Sequence, residues 1–146
     1  MVIVTREFDA PRDLVFRAHT DPDLLAQWLG PRDLTTTIDR YEARNAGTWR
    51  YLQTDAEGNT SGFHGVFHGE PSPDGIVQTF EFEGAPGHVC LQTATLAGRG
   101  GRTLVRTVSA FQSVQDRDAM VASGMERGVH DSGERLAELL ARLQAS

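Results

Sequence analysis

Cysteine occurs once in 146 residues, at Cys90, so no disulfide can close within the chain and metal sites built from paired cysteines are excluded. No apolar run is long enough to span a bilayer, and the opening Met1-Val-Ile-Val-Thr-Arg-Glu-Phe8 does not read as a secretion signal. A cytoplasmic protein is expected. Basic residues are few, 14 against 20 acidic, and the formal net charge of -6 gives nucleic acid or an anionic membrane no electrostatic attraction. Histidines number five without metal-ligand spacing: His64 and His68 on one strand face would stand roughly 13 Å apart, far beyond what zinc–nitrogen bonds of about 2 Å can bridge. His19, His88 and His130 are scattered. Ser109, Ser123 and Ser132 lack a nucleophile-elbow context, and Gly98-Arg-Gly-Gly101 joins two strands instead of opening a helix, which excludes a phosphate cradle. No metal and no cofactor are expected.

What remains is ordinary for a globular chain: 39% hydrophobic and 23% charged, a length that fits one domain, 1–146, with a sizeable core. The most organised stretch is the last. From Asp116 to Leu143 a helical period places Val121, Met125, Val129, Leu136, Leu140 and Leu143 on one stripe, with Met120 and Leu139 at its edge. A helix of that length would run roughly 42 Å. Gly124, Gly128, Ser132 and Gly133 weaken it, each glycine by on the order of 1 kcal/mol against alanine, so bulk is unwelcome on part of this surface. Either the backbone packs close against a sheet there, or the small residues leave room for a bound molecule.

At the other end, Val2 to Phe8 alternates and reads as a strand. Asp9-Ala-Pro11 stops it, with Asp9 a candidate cap for a helix over Pro11 to His19. Thr20-Asp-Pro22 repeats the punctuation before a second helix, Pro22 to Trp28, which Gly30-Pro31 ends. Strands follow at about Thr35–Ala43, Thr48–Thr54, Gly62–Glu70, Ile76–Glu83, His88–Leu96 and Arg102–Phe111, divided by short glycine, proline and asparagine turns. Short connections imply hairpins and an antiparallel meander, and the whole is an α+β layout. Parity then sorts side chains into two faces. Trp49 and Tyr51 share a side, as do Phe63 and Phe67, and Gln78, Phe80 and Phe82. In the last strand neither face is purely apolar. Leu104, Arg106 and Val108 are placed inward, so Arg106 meets an anionic ligand, pairs with an internal acid, or lies on the surface with the parity reversed.

Phe8-Asp-Ala-Pro11, Val15-Phe16, Thr20-Asp-Pro22 and Gln27-Trp-Leu-Gly-Pro31 resemble the opening of the START-like (SRPBCC) superfamily, in its branch named after the activator of the Hsp90 ATPase. Glu42-x-Arg44-x-Ala46-Gly47-x-Trp49 looks like that branch's acid-x-Arg-x-Gly-Gly segment, with alanine replacing the first glycine. Arg117-Asp-x-Met120 and Ser123-Gly-Met-Glu126-x-Gly128-Val129, continuing to Leu140, resemble its closing helix. The resemblance implies a helix-grip (START/Bet v 1-like) fold, a curved antiparallel sheet wrapped around a long C-terminal helix with a cavity between them. It implies a small apolar or aromatic ligand. A monomer or homodimer is expected. The match opens within the first ten residues, so the extra N-terminal domain of the eukaryotic co-activator is not expected.

The ligand would then meet Trp28, Trp49, Tyr51, Phe63, Phe67, Phe80 and Phe82, the polar Gln78, Gln92 and Arg106, and Met125 and Val129 on the helix. Binding is the leading expectation. An enzyme of the cyclase or hydrolase kind is the alternative, with His130 as acid or base and Arg106 stabilising a developing anion. A third is a chaperone-linked or regulatory interaction protein.

Overall fold

In the computed structural model, which describes residues 1–145, each turn cluster between the six later strands closes a hairpin. The elements run β1 (Val2–Phe8), α1 (Arg12–Thr20), α2 (Pro22–Leu25), β2 (Thr35–Tyr41), β3 (Thr48–Thr54), β4 (Thr60–Val66), β5 (Ile76–Phe82), β6 (Val89–Arg99), β7 (Arg102–Phe111), α3 (Val114–Ala122) and α4 (Met125–Ala145). Seven strands form one antiparallel sheet in the order β1-β7-β6-β5-β4-β3-β2. The first strand pairs with the last, at the opposite edge from β2. The chain must therefore cross the sheet's full width to begin the meander, and α1 and α2 lie on that crossing.

Helix boundaries follow local chemistry, with two departures from expectation near the start. Asp9 does not cap α1: Pro11 occupies the cap position in an extended conformation, and no side chain bonds the first turn. Asp21 does cap α2, accepting from the Asp23 amide at 2.9 Å. That helix ends at Leu25 instead of reaching Trp28, because the chain tightens into three-residue turns (Gln27 N–H to Leu24, Trp28 N–H to Leu25) on its way to Gly30, whose φ of +96° excludes helix. Trp28 is pulled back against α1, its indole N–H donating to the Ala18 carbonyl at 2.9 Å.

The expected continuous helix from Asp116 to Leu143 is broken. Ser113 caps α3, its hydroxyl accepting from the Asp116 amide, and α3 ends before Gly124, which has φ of +93°. A left-handed residue cannot carry an α-helical ladder, and only glycine adopts that conformation without cost. The break turns α3 off the stripe: Val121 is 51% exposed and α3 has no buried residue. The stripe holds in α4, where Leu136, Leu139 and Leu140 are buried. β4 also ends early. Phe67 keeps an isolated bridge to Gln78 and exchanges backbone hydrogen bonds with the β2–β3 turn, donating to the Gly47 carbonyl and accepting from the Ala46 amide.

The core has two centres. One joins Phe8, Val15, Ala18, Leu25 and Trp28 to Leu96, Val105 and the α4 leucines. The other gathers Trp49, Tyr51, Phe67 and Ile76, with Phe63 and Phe80 against them. Between them the sheet curves, helped by a register shift between Ile38 and Arg40 and by Gly65. A Cβ at Gly65 would lie 1.9 Å from the Thr79 carbonyl and 2.7 Å from the Trp49 ring, so only glycine lets that indole lie flat on β4.

Candidate ligand cavity between the sheet and the last helix

Strand register sets the inner wall. Residues that face α4 fall in rows across neighbouring strands: Arg6, Val105 and Leu96; Val4, Thr107, Ala94 and Ile76; Ser109, Gln92 and Gln78. The wall is therefore largely apolar, with Arg6 at the β1 edge and a polar band of Ser109, Gln92 and Gln78 on β7, β6 and β5. Gln78 donates to Gln92 across that band at 3.3 Å. On β3, β4 and β5 the wall is aromatic: Trp49 stacks on Tyr51 at 5.3 Å, Tyr51 on Phe63 at 5.2 Å, and Phe63 lies 5.4 Å from Phe80.

A cavity of about 550 Å³ separates this wall from α4. The helix contributes Met125, Gly128, Val129, Ser132, Gly133 and Leu136 to its lining. Gly128 stands near the Pro31 ring, and no atom would crowd a Cβ at Gly124. Ser123 and Gly124 line the cavity and are exposed, which puts its mouth at the joint between α3 and α4. The opposite lip, residues 27–31, is tied to α4. The Gly30 amide donates to Ser132 Oγ at 2.8 Å, and Arg135 donates to the Gln27, Gly30 and Pro31 carbonyls at 3.1, 3.0 and 3.3 Å.

Of the residues named from sequence, Trp28, Trp49, Tyr51, Phe63, Gln78, Phe80, Gln92, Met125 and Val129 line the cavity. Phe67 does not. It is fully buried on the inward face, packed among Trp49, Tyr51 and Ile76 and edge-on to Tyr41 at 5.4 Å, so those side chains cover it. Phe82 extends the aromatic row from 5.2 Å beside Phe63 but is 38% exposed and lies outside the lining. Arg106 requires correction: it projects from the outer face, exposed, because Val105, Thr107 and Ser109 are the inward set of β7. His130 also points outward, with its side chain 66% exposed and Nε2 3.7 Å from Glu134.

Many lining residues were not named from sequence, and two of them, Arg6 and His19, carry a charged or titratable group into the cavity. The signal for Arg6 was its shared parity with Val4 and Phe8 on the first strand. His19 lies one helical turn after Val15, on the buried side of α1. Its Nδ1 stands 2.8 Å from the Val15 carbonyl oxygen, and since a carbonyl only accepts, Nδ1 carries the proton. Burial lowers its pKa below the ordinary value, with that hydrogen bond opposing, so the ring is held neutral. Trp28 packs edge-on at 4.9 Å, and Tyr41 donates to the His19 carbonyl at 2.6 Å. Burial also raises the Tyr41 and Tyr51 hydroxyls, which stay protonated. One polar group of the wall is unmatched: Trp49 Nε1–H is buried with no acceptor among the described residues.

A curved sheet closing on a C-terminal helix around an apolar cavity defines the helix-grip class of the SRPBCC superfamily. The chain belongs to the family of activator of Hsp90 ATPase homolog 1-like proteins, whose model matches residues 9–141. Its superfamily often binds hydrophobic ligands. Solved structures share the fold over nearly the whole chain. A protein from Rhodobacter sphaeroides is 27% identical with a TM-score of 0.88, over 97% of this chain and 92% of that one. One from Arthrobacter aurescens is 27% identical at 0.89, over 96% and 85%. One from Chromobacterium violaceum is 26% identical at 0.82, over 94% and 95%. No curated protein matches significantly. No described helix is long and apolar enough to cross a membrane.

Proposed function

We propose that this protein binds one small, largely apolar molecule with aromatic character between the sheet and α4. The observation that carries the reading is the cavity of about 550 Å³ walled by stacked rings. Close-packed interiors leave few voids larger than a water molecule, whereas ligand sites span roughly 300–1,000 Å³ and combine apolar walls with a few polar groups. The polar band of Gln78, Gln92 and Ser109 supplies those groups, and the unmatched Trp49 N–H is a donor for a ligand acceptor. The small residues of α4 fit the same reading, since Gly128 and Ser132 widen the gap where larger side chains would close it.

The test is titration with the neutral fluorophore N-phenyl-1-naphthylamine, beside native mass spectrometry of freshly purified protein. Saturable one-site binding is expected. Val129→Trp should weaken it at least tenfold while preserving cooperative unfolding. Unchanged affinity in that variant would sink the proposal.

A second reading is catalysis on the same guest, favoured by the neutral, tautomer-fixed His19 at the wall. With Nδ1 protonated, Nε2 is the acceptor a general base needs. If so, His19→Gln abolishes turnover of the co-purified molecule yet leaves fluorophore binding intact. Turnover surviving that change removes the reading.

A further inference from the structure

We propose that the cavity selects an anion: an aromatic or apolar frame bearing a carboxylate or sulfonate, with Arg6 as its counter-ion. This rests on the cavity being a binding site. The argument starts from charge. The chain has 20 carboxylate side chains against 14 basic ones, yet no aspartate or glutamate is among the cavity-lining residues. All 14 basic residues of the chain are arginines, and among the described residues Arg6 is the one in that lining. An acidic protein has kept its acids out of this space and put a guanidinium in.

Arg6 is also under-partnered. A guanidinium offers five N–H donors. Among the described residues its guanidinium donates no side-chain hydrogen bond, only the ion-pair contact to Glu134. Its carboxylate neighbour is Glu134, at 3.7 Å from Nη2, and Glu134 is 44% exposed with the same oxygen 3.7 Å from His130. The guanidinium carbon lies 5.5 Å over the Phe8 ring, a contact that orients the fork without using its donors. The Arg6 side chain is 34% exposed, so its donors face the cavity and solvent instead of being locked in protein contacts, and a guest anion would take them from water and Glu134. A bidentate carboxylate or sulfonate would satisfy two of them in the geometry the planar fork prefers.

The fold makes room for this group. Gly133, on the facing turn of α4, is where a Cβ would come within 2.6 Å of Arg6 Nη1. The helix has no side chain where the guanidinium needs space.

The experiment compares two probes with one arene skeleton, 8-anilinonaphthalene-1-sulfonate and the uncharged N-phenyl-1-naphthylamine. Wild type should bind the sulfonate at least tenfold more tightly. Arg6→Gln should abolish that preference, weakening the sulfonate at least tenfold more than the neutral probe. Glu134→Gln, which removes the competing carboxylate, should tighten the sulfonate alone, and this variant carries the test if Arg6→Gln does not fold. Equal affinity for the two probes in wild type, or a sulfonate preference that survives Arg6→Gln, would overturn the anion proposal while leaving the cavity reading intact. Failure of both probes to bind, or binding that Val129→Trp does not disturb, overturns both.

Discussion

Gly133 on α4 and Arg6 on β1 occupy the same space from opposite sides: the glycine's missing Cβ is where the arginine's Nη1 comes to rest. Gly133→Ala therefore sets two effects against each other. Alanine favours the helix by about 1 kcal/mol, while the guanidinium, the far end of a flexible side chain, must move. Net stability should change by no more than about 1 kcal/mol by chemical denaturation, whereas preference for the sulfonate probe should fall severalfold. A variant with unaltered preference would show that Arg6 is not positioned by this contact.

Arg135 is the clamp on the lip of the cavity. Its two terminal nitrogens bond carbonyls of Gln27, Gly30 and Pro31, in a segment that Gly30 needs free of a side chain because a Cβ there would lie 2.4 Å from Gln53 Nε2. Arg135→Met should cost on the order of 1 kcal/mol in urea unfolding, the usual net worth of hydrogen bonds whose acceptors are only part-buried. Amide exchange over residues 27–32 should accelerate more than exchange in β6 and β7.

On the outer face, Glu83 accepts from Arg50 Nε at 2.8 Å and Nη2 at 2.9 Å, and from His64 Nδ1 at 2.9 Å. The Arg50 hydrogen bonds, then that of His64, hold its carboxyl down to about 2 from an ordinary 4.5. A depressed carboxylate pKa stabilises the fold above the unfolded value, and that contribution is lost as pH falls through the folded one. The melting temperature of wild type should thus exceed that of Glu83→Gln at neutral pH. The gap should narrow from about pH 4.5 and close near pH 2. A gap independent of pH would refute the assignment.

The fold was legible because its punctuation was strong. β1, β3 and β7 begin and end where the alternation and turns placed them. Errors came where a local pattern was ambiguous or a distant contact overrode it. In β7 both faces carry apolar residues, so Leu104 and Val108 drew Arg106 inward on paper, although Val105, Thr107 and Ser109 face the cavity. No periodicity shows that Gly124 takes φ of +93°, since glycine is also tolerated within helices. Arg6 was readable from its parity with Val4 and Phe8, but its meaning depends on Gly133, more than a hundred residues away in sequence. His19 becomes interesting only once α1 is known to lie against the wall.

Gly124 also makes the end of the chain a jointed arm instead of a rod. Its outer segment, α3, hides no side chain and is fastened at one end by Asp116 to His88 at 2.8 Å, at the other by the joint itself. Swinging that segment outward sacrifices little apolar burial and leaves the α4 leucines seated, so the mouth can widen without loosening the core. On the binding proposal, the exit rate of a guest would follow the stiffness of this joint, and its affinity the walls behind it.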